Sequence, residues 1–294
     1  MAKLLSGKEV ALELNADMER RIAELHEVGI TPALALVRIG NRPDDISYEE
    51  SIKKHADALG MRVRPYIFDE DATEEELIRT IESINNDRFV HGCLMFRPLV
   101  RGINEDRVCN ALAPEKDVDG ITSASLASVF TDGKVGFAPS TADACIKVLD
   151  YYKVSLQGAH VVVVGRSLVV GKPVAMMLLG RNATVTLCHS RTSDVAAVTR
   201  QADIVIFASG RPKQYGADFF SPGQTVIDVG INFDDEGKMC GDVDFAAAEG
   251  IVDAITPVPG GVGCVTTMVT LMHTIEAAEA IAYEQTRIAI SRIM

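Results

Sequence analysis

His160-Val-Val-Val-Val164, followed by Gly165-Arg-Ser-Leu-Val-Val-Gly171-Lys-Pro173, decides the fold class of this 294-residue chain. An uninterrupted β-branched run suits a strand buried on both faces of a parallel sheet. Gly165 permits a tight turn, and Pro173 fits the first turn of a helix, where its missing N–H costs little. Residues 160–180 therefore read as strand, loop and helix, closing at Gly180. Ala183 to Cys188, Ala202 to Phe207 and Thr225 to Val229 read as further strands with short connections. That repetition predicts a doubly wound, dinucleotide-binding sheet.

Upstream the same alternation holds. Val10, Leu14, Ile22 and Leu25 recur at helical spacing, so Lys8 to Val28 reads as a helix stopped by Gly29. Ala33 to Ile39 and Arg62 to Phe68 read as strands. Gly40-Asn-Arg-Pro43 reads as a turn, and Ser47 to Leu59 as a second helix. Thr73 with Glu76 forms a capping-box pattern opening a third. Val90 to Phe96 is another strand, Pro98 to Ser140 is less regular, and helical period returns from Ala144 to Tyr152. A final helix runs from Thr266 to Ala282 or beyond. The fold class is therefore α/β, with a second sheet preceding the dinucleotide domain.

Composition narrows the function classes. A formal net charge of −12 argues against nucleic-acid or anionic-membrane partners, which need clustered Lys and Arg. Six cysteines without a C-x-x-C pair read as free thiols in a reducing compartment. Six scattered histidines without metal-ligand spacing give no metal site. No signal-peptide h-region and no membrane-length apolar run stand in the sequence, so a cytoplasmic protein is expected.

Three segments carry candidate chemistry. Gly165, Arg166, Ser167, Gly171 and Pro173 sit where a phosphate loop belongs, with helix-terminal amides and the helix dipole favouring a pyrophosphate. NAD-selective sheets place an acidic residue at the end of the next strand. Here that end reads His189-Ser190-Arg191-Thr192, and Arg191 and Ser190, with Arg166, suit a 2′-phosphate. NADP is therefore expected, with NAD as the alternative. Val226-Ile-Asp-Val-Gly-Ile-Asn232 is a strand end running into a glycine turn, a ligand-binding position in such sheets, which adds Ile231 to the cofactor candidates. Thr256-Pro-Val-Pro-Gly-Gly-Val-Gly263 lets backbone approach a flat ligand, making Pro259, Gly260 and Gly261 substrate-binding candidates.

Lys116-Asp-Val-Asp-Gly120, the 165–173 loop, Asp228-Val-Gly-Ile-Asn232, Gly241-Asp-Val243 and the 256–263 segment, in this order, resemble the methylenetetrahydrofolate dehydrogenase/cyclohydrolase (FolD-type) family over essentially the whole chain. The resemblance implies two domains. A catalytic, folate-binding domain covers 1–140 and is completed by a returning C-terminal helix at 265–294. A Rossmann-type NAD(P) domain covers 141–264. A homodimer is implied as well, with a folate substrate lying between the domains. So is oxidation of 5,10-methylenetetrahydrofolate to the 5,10-methenyl cation, hydrolysed in most members to 10-formyltetrahydrofolate. Tyr48 matches a tyrosine lining the site, and Asp119 an aspartate that holds the pterin.

The sequence departs from the family where the hydrolytic step resides. The family's Tyr-x-x-x-Lys reads Tyr48-Glu-Glu-Ser-Ile52, and the lysine's usual glutamine partner is Phe96. Asp44 and Asp45 replace small residues, Thr122 to Ser125 replace a His-Pro-x-Asn stretch, and Cys264 replaces a proline. Hydride transfer needs proximity and a dry cleft, not a proton-transfer residue. Cyclohydrolysis moves a proton, and isoleucine cannot carry one. Lys53 points about 100° away from Ile52 on an ideal helix, and Arg97 is a poor base. The expectation is an NADP-dependent dehydrogenase with cyclohydrolase activity lost or weak. The ordinary bifunctional enzyme and a catalytically silent folate- or dinucleotide-binding relative are the alternatives.

Overall fold

A computed structural model describes residues 1–291, with side chains described through residue 284. In chain order the elements are β1 (Lys3–Leu4), α1 (Gly7–Glu27), β2 (Ala33–Ile39), α2 (Pro43–Ala58), β3 (Arg62–Phe68), α3 (Glu74–Asn86), β4 (Gly92–Met95), α4 (Glu105–Cys109), α5 (Ser123–Phe130) and α6 (Ser140–Tyr151). There follow β5 (His160–Val164), α7 (Gly171–Gly180), β6 (Thr184–Cys188), α8 (Val195–Thr199), β7 (Ile204–Phe207), β8 (Thr225–Asp228), β9 (Asn232–Phe233), β10 (Met239–Cys240), α9 (Phe245–Ala248), β11 (Ala254–Ile255) and α10 (Val262–Ser291).

The chain divides into two compact units. One contains residues 1–12, 129–132 and 139–269; the other contains 13–128, 133–138 and 270–294. Helices α1 and α10 each contribute residues to both.

The larger sheet has strand order β1-β11-β8-β7-β5-β6 and is parallel throughout. From β5 the chain goes to β6 on one side and returns to β7 on the other. The topological switch point therefore lies between the C-terminal ends of β5 and β7, where open α/β sheets bind ligands. Val161 to Val164 are buried, as a central parallel strand requires. Their neighbours Val205, Phe207, Val226 and Ile255 share the same core. Strand β1 has no signature in the sequence: two residues pair with β11, more than 240 positions away.

The second unit holds a three-stranded parallel sheet ordered β3-β2-β4. Strand β2 is buried along its whole length. Leu77, Ile81 and Ile84 of α3 pack with Val37, Ile39 and Met95 to form its core. The Thr73 capping box forms, with Glu76 N donating to Thr73 Oγ1 at 3.3 Å and Thr73 N to Glu76 Oε2 at 2.9 Å. Helix α2 starts four residues before its sequence-expected position. Pro43 occupies its first turn and Asp44 and Asp45 complement the helix dipole, so the apparent turn is a helix start.

Within this unit α10 docks through His273, whose Nδ1 donates to Val118 O at 2.9 Å and whose ring stacks on Phe137 at 4.8 Å. Arg21 of α1 clamps Glu279 through two bonds of 2.6 and 2.8 Å. Residues 292–294, at the end of the expected returning helix, lie outside the described residues.

Candidate functional site

A pocket of about 530 Å³ opens at the switch point of the larger sheet. Gly165, Arg166 and Ser167 line it from the end of β5, and His189 and Ser190 from the end of β6. These five sequence-predicted residues are thus brought together. Gly165 has φ +134°, and a Cβ there would collide with the Ala208 carbonyl oxygen on the neighbouring strand end. Only glycine lets the two strand ends close in this way. Gly165 N donates to Cys188 O at 2.9 Å, tying the loop to β6. Ser167 Oγ accepts from Val170 N at 3.1 Å, and Ser167 O accepts from Lys172 N at 3.0 Å, which sets the entry into α7. Gly171 and Pro173 shape that entry and do not line the pocket.

The loop after β6 is a closed turn. His189 N donates to Thr192 Oγ1 at 3.0 Å, and Thr192 N to His189 O at 2.9 Å. Arg191 N donates to His189 Nδ1 at 3.1 Å, which leaves Nε2 as the N–H of the neutral ring. Ser190 lines the pocket, whereas Arg191 is exposed beside it. Asp194 lines the pocket too, but its carboxylate caps α8, accepting from Ala197 N at 2.9 Å.

The opposite wall escapes the sequence reading. Ala208, Ser209, Arg211, Gln214, Tyr215 and Phe219 come from the loop after β7. Ser209-Gly-Arg-Pro212 follows a strand at the switch point, and that position was the available signal. Arg166 and Arg211 give the pocket two permanent cations, and Tyr215 and Phe219 give it aromatic surface. Phosphate-rich, ring-bearing ligands match this donor set.

Ile231, just beyond β8, is 61% exposed and lies outside the pocket lining. In the 256–263 segment, Gly260 O accepts from Gly7 N at 2.9 Å, so this loop closes on the first turn of α1. Pro259 is exposed and Gly261 buried.

The second unit collects the remaining candidates. On α2, Tyr48 is half-buried and its ring meets Phe96 edge-on, with centroids 5.9 Å apart and planes at 76°. Ile52 is 0% exposed and Phe96 7%. Lys53 faces elsewhere: its Nζ bonds Glu49 Oε1 at 2.5 Å, and Arg38 Nε bonds Glu49 Oε2 at 2.7 Å. Burial alone would raise the Glu49 carboxyl, but these two cations outweigh it and hold the group below the usual carboxylate range. Arg38 also donates to Gly40 O and Asn41 Oδ1, so the ion pair fixes the start of α2 on β2.

The Lys116–Gly120 segment divides by burial. Lys116 is buried and donates to Ile84 O and Asp87 O, each at 2.7 Å, closing the end of α3. Asp117 is 0% exposed and accepts from Ile121 N, Thr122 N and Ser125 Oγ at 2.9, 2.8 and 2.7 Å. Asp119 is half-buried, in contrast to Asp117. Thr122 Oγ1 accepts from Ser125 N at 3.1 Å, so Thr122 supplies an N-cap to α5.

A Rossmann-type sheet with a cationic pocket at its switch point, joined to a second parallel α/β unit, defines a dinucleotide-binding α/β protein. Comparison narrows the class. Residues 5–119 match the tetrahydrofolate dehydrogenase/cyclohydrolase catalytic domain, and residues 139–282 match the NAD(P)-binding domain of the same name. The chain belongs to the tetrahydrofolate dehydrogenase/cyclohydrolase family. It is 46% identical to the bifunctional protein FolD of Clostridium botulinum over 279 residues, covering 95% of this chain and 99% of that protein. The crystal structure of the bifunctional FolD dehydrogenase/cyclohydrolase from Campylobacter jejuni superposes with a TM-score of 0.93 at 35% identity, over 95% of this chain and 99% of that one. The Trypanosoma brucei dehydrogenase-cyclohydrolase, complexed with NADP and an inhibitor, gives a TM-score of 0.90 at 31% identity, over 95% and 98%. Among the described residues no helix is long and apolar enough to cross a membrane.

Proposed function

We propose that the chain oxidises 5,10-methylenetetrahydrofolate to 5,10-methenyltetrahydrofolate with NADP, and that its cyclohydrolase step is lost or severely weakened. NADP, when bound, supplies the hydride acceptor. The residues suited to hold it are Gly165, Arg166 and Ser167 for the pyrophosphate, with Ser190, His189 and Arg166 for the 2′-phosphate side. Tyr48 and Asp119 are the candidates for orienting the folate. Gly171, Pro173, Arg191, Ile231, Pro259, Gly260 and Gly261 complete the proposed site set on the sequence reading. A homodimer belongs to the same reading.

The observation that carries the proposal is the fate of the proton carrier. At the family's lysine position stands Ile52, fully buried, and the adjacent ammonium of Lys53 is engaged by Glu49. Hydride transfer survives such a change, since the cation forms without a proton-transfer group. Water addition to that cation loses the group that would move its proton. The bifunctional names of the relatives favour the second reading, an enzyme that keeps both steps.

Purified protein mixed with 5,10-methylenetetrahydrofolate and either NADP or NAD tests the oxidation. Reduction of NADP well ahead of NAD is expected. Absence of reduction with both would leave a silent binding protein as the better reading.

A further inference from the structure

The Asp228–Asn232 and Gly241–Val243 motifs carry no group that reaches the pocket lining, and their carboxylates are buried. We propose that Asp242 is a positioning residue for the dinucleotide: from behind the pocket it holds the 209–215 wall that the cofactor contacts. The inference rests on reading this pocket as the dinucleotide site.

Asp242 is 0% exposed and both its oxygens are committed. Oδ2 accepts from Ser209 N at 2.6 Å, Ser209 Oγ at 3.0 Å and Gly210 N at 3.1 Å. Oδ1 accepts from Arg211 N at 2.8 Å and Asn232 Nδ2 at 2.9 Å. Three consecutive backbone amides after β7 are thus gathered onto one carboxylate. Ser209 and Arg211 line the pocket on their other side.

The backbone around Asp242 continues the support. Tyr215 N donates to Asp242 O at 3.2 Å, Lys213 N to Gly241 O at 3.0 Å, and Asp244 N to Tyr215 O at 2.9 Å. Segment 241–244 therefore runs alongside 213–215, behind Gln214 and Tyr215. It is anchored in turn to the sheet. Asp228, the last residue of β8, accepts from Asp242 N at 3.0 Å, Val243 N at 2.9 Å and Gly230 N at 3.0 Å. A Cβ at Gly241 would strike the Asp228 carboxylate, and one at Gly230 the Asp242 carboxylate. The glycines of both motifs are required by this internal packing. The chain of contacts runs from β8 through Asp228 and Asp242 to the pocket wall.

The carboxylate cannot be replaced by its isostere. Asparagine presents one acceptor and one donor, so whichever way it turns, an NH2 faces N–H donors. Buried donors left without acceptors will move. The experiment compares wild type with Asp242→Asn and Asn232→Ala, measuring NADPH affinity by fluorescence titration and KM for methylenetetrahydrofolate separately. Asn232 lies outside the pocket lining, and its side-chain amide donates to Asp242 Oδ1, the carboxylate that holds the pocket wall. Asp242→Asn should weaken NADPH by about tenfold to hundredfold, the scale of an ångström-level displacement, with the folate KM within about twofold. Asn232→Ala should weaken NADPH by about twofold to fivefold, as expected for one lost hydrogen bond, and this decides the matter if Asp242→Asn does not fold. NADPH affinity unchanged in folded variants overturns the proposal. So do parallel losses of NADPH and folate affinity, which indicate general loosening. Failure of the wild type itself to bind NADPH overturns instead the reading of the pocket.

Discussion

Replacing Gly165 by alanine probes the pocket at its tightest point. At φ +134° an L-residue sits in a region almost closed to it, which costs about 1–3 kcal/mol. The added methyl also meets the Ala208 carbonyl oxygen. Neither side yields easily: Gly165 N is held by Cys188 O at 2.9 Å, and Ala208 N by Val164 O at 2.8 Å. Forcing the ends of β5 and β7 apart adds the cost of overpacking, about 1–3 kcal/mol. The total destabilisation is about 2–6 kcal/mol, read by urea unfolding. Because Ala208 and Ser209 line the pocket, the same displacement should weaken NADPH at least about tenfold, equivalent to 1.4 kcal/mol. Gly250→Ala in the same unit is the control, since its Cβ meets nothing within 4 Å. It should leave both quantities unchanged. A Gly165→Ala protein that binds NADPH within twofold of wild type would refute the role given to this glycine.

Restoring the hydrolytic pair is the converse test. Ile52→Lys with Phe96→Gln should raise methenyltetrahydrofolate hydrolysis by about 10²–10⁴-fold, while Ile52→Lys alone buries an unpaired ammonium and should lose about 3–5 kcal/mol of stability; equal hydrolysis by the double variant and wild type contradicts the assignment. Lys116→Met removes the donor shared by Ile84 O and Asp87 O; it should lower stability by about 2–4 kcal/mol in thermal or urea unfolding, and a neutral substitution would show that this cap carries no weight. Burial pushes the Asp228 carboxyl from its ordinary 3.8 up to about 7, against its backbone N–H donors. The folded chain then binds that proton more tightly than the unfolded chain, so its stabilising contribution is full below about pH 4 and is lost as pH rises towards 7, by about 4 kcal/mol. Asp228→Asn cannot ionise, and its stability relative to wild type should rise across that window; a flat difference from about pH 4 to 7 counts against the buried carboxyl.

How much of this was legible in the sequence depended on whether the cause was local. The run from His160 to Pro173 declared itself because strand, turn and helix start are consecutive, each with its own residue chemistry. Strand β1 did not, because two residues acquire their state only by pairing with β11. Pro43 looked like a turn and proved to be a helix start, since proline serves both and only the following aspartates tip the balance. Of the two aspartates at 117 and 119, the resemblance implied a role for Asp119 alone, and burial shows what the other does: Asp117 is sealed by three donors, whereas Asp119 keeps surface. The Ser209–Phe219 wall was hidden for the opposite reason. Its position comes from sheet order, and its shape from a carboxylate 33 residues away from Ser209.

The central claim is that the hydride step and the hydrolytic step have parted company in this chain. Purified wild-type protein should be given 5,10-methenyltetrahydrofolate, and the loss of its absorbance followed against a protein-free blank. Decay at, or only slightly above, the rate of the blank is expected from a preparation that reduces NADP with methylenetetrahydrofolate. Enzyme-dependent loss at a rate comparable with its dehydrogenase turnover would contradict it.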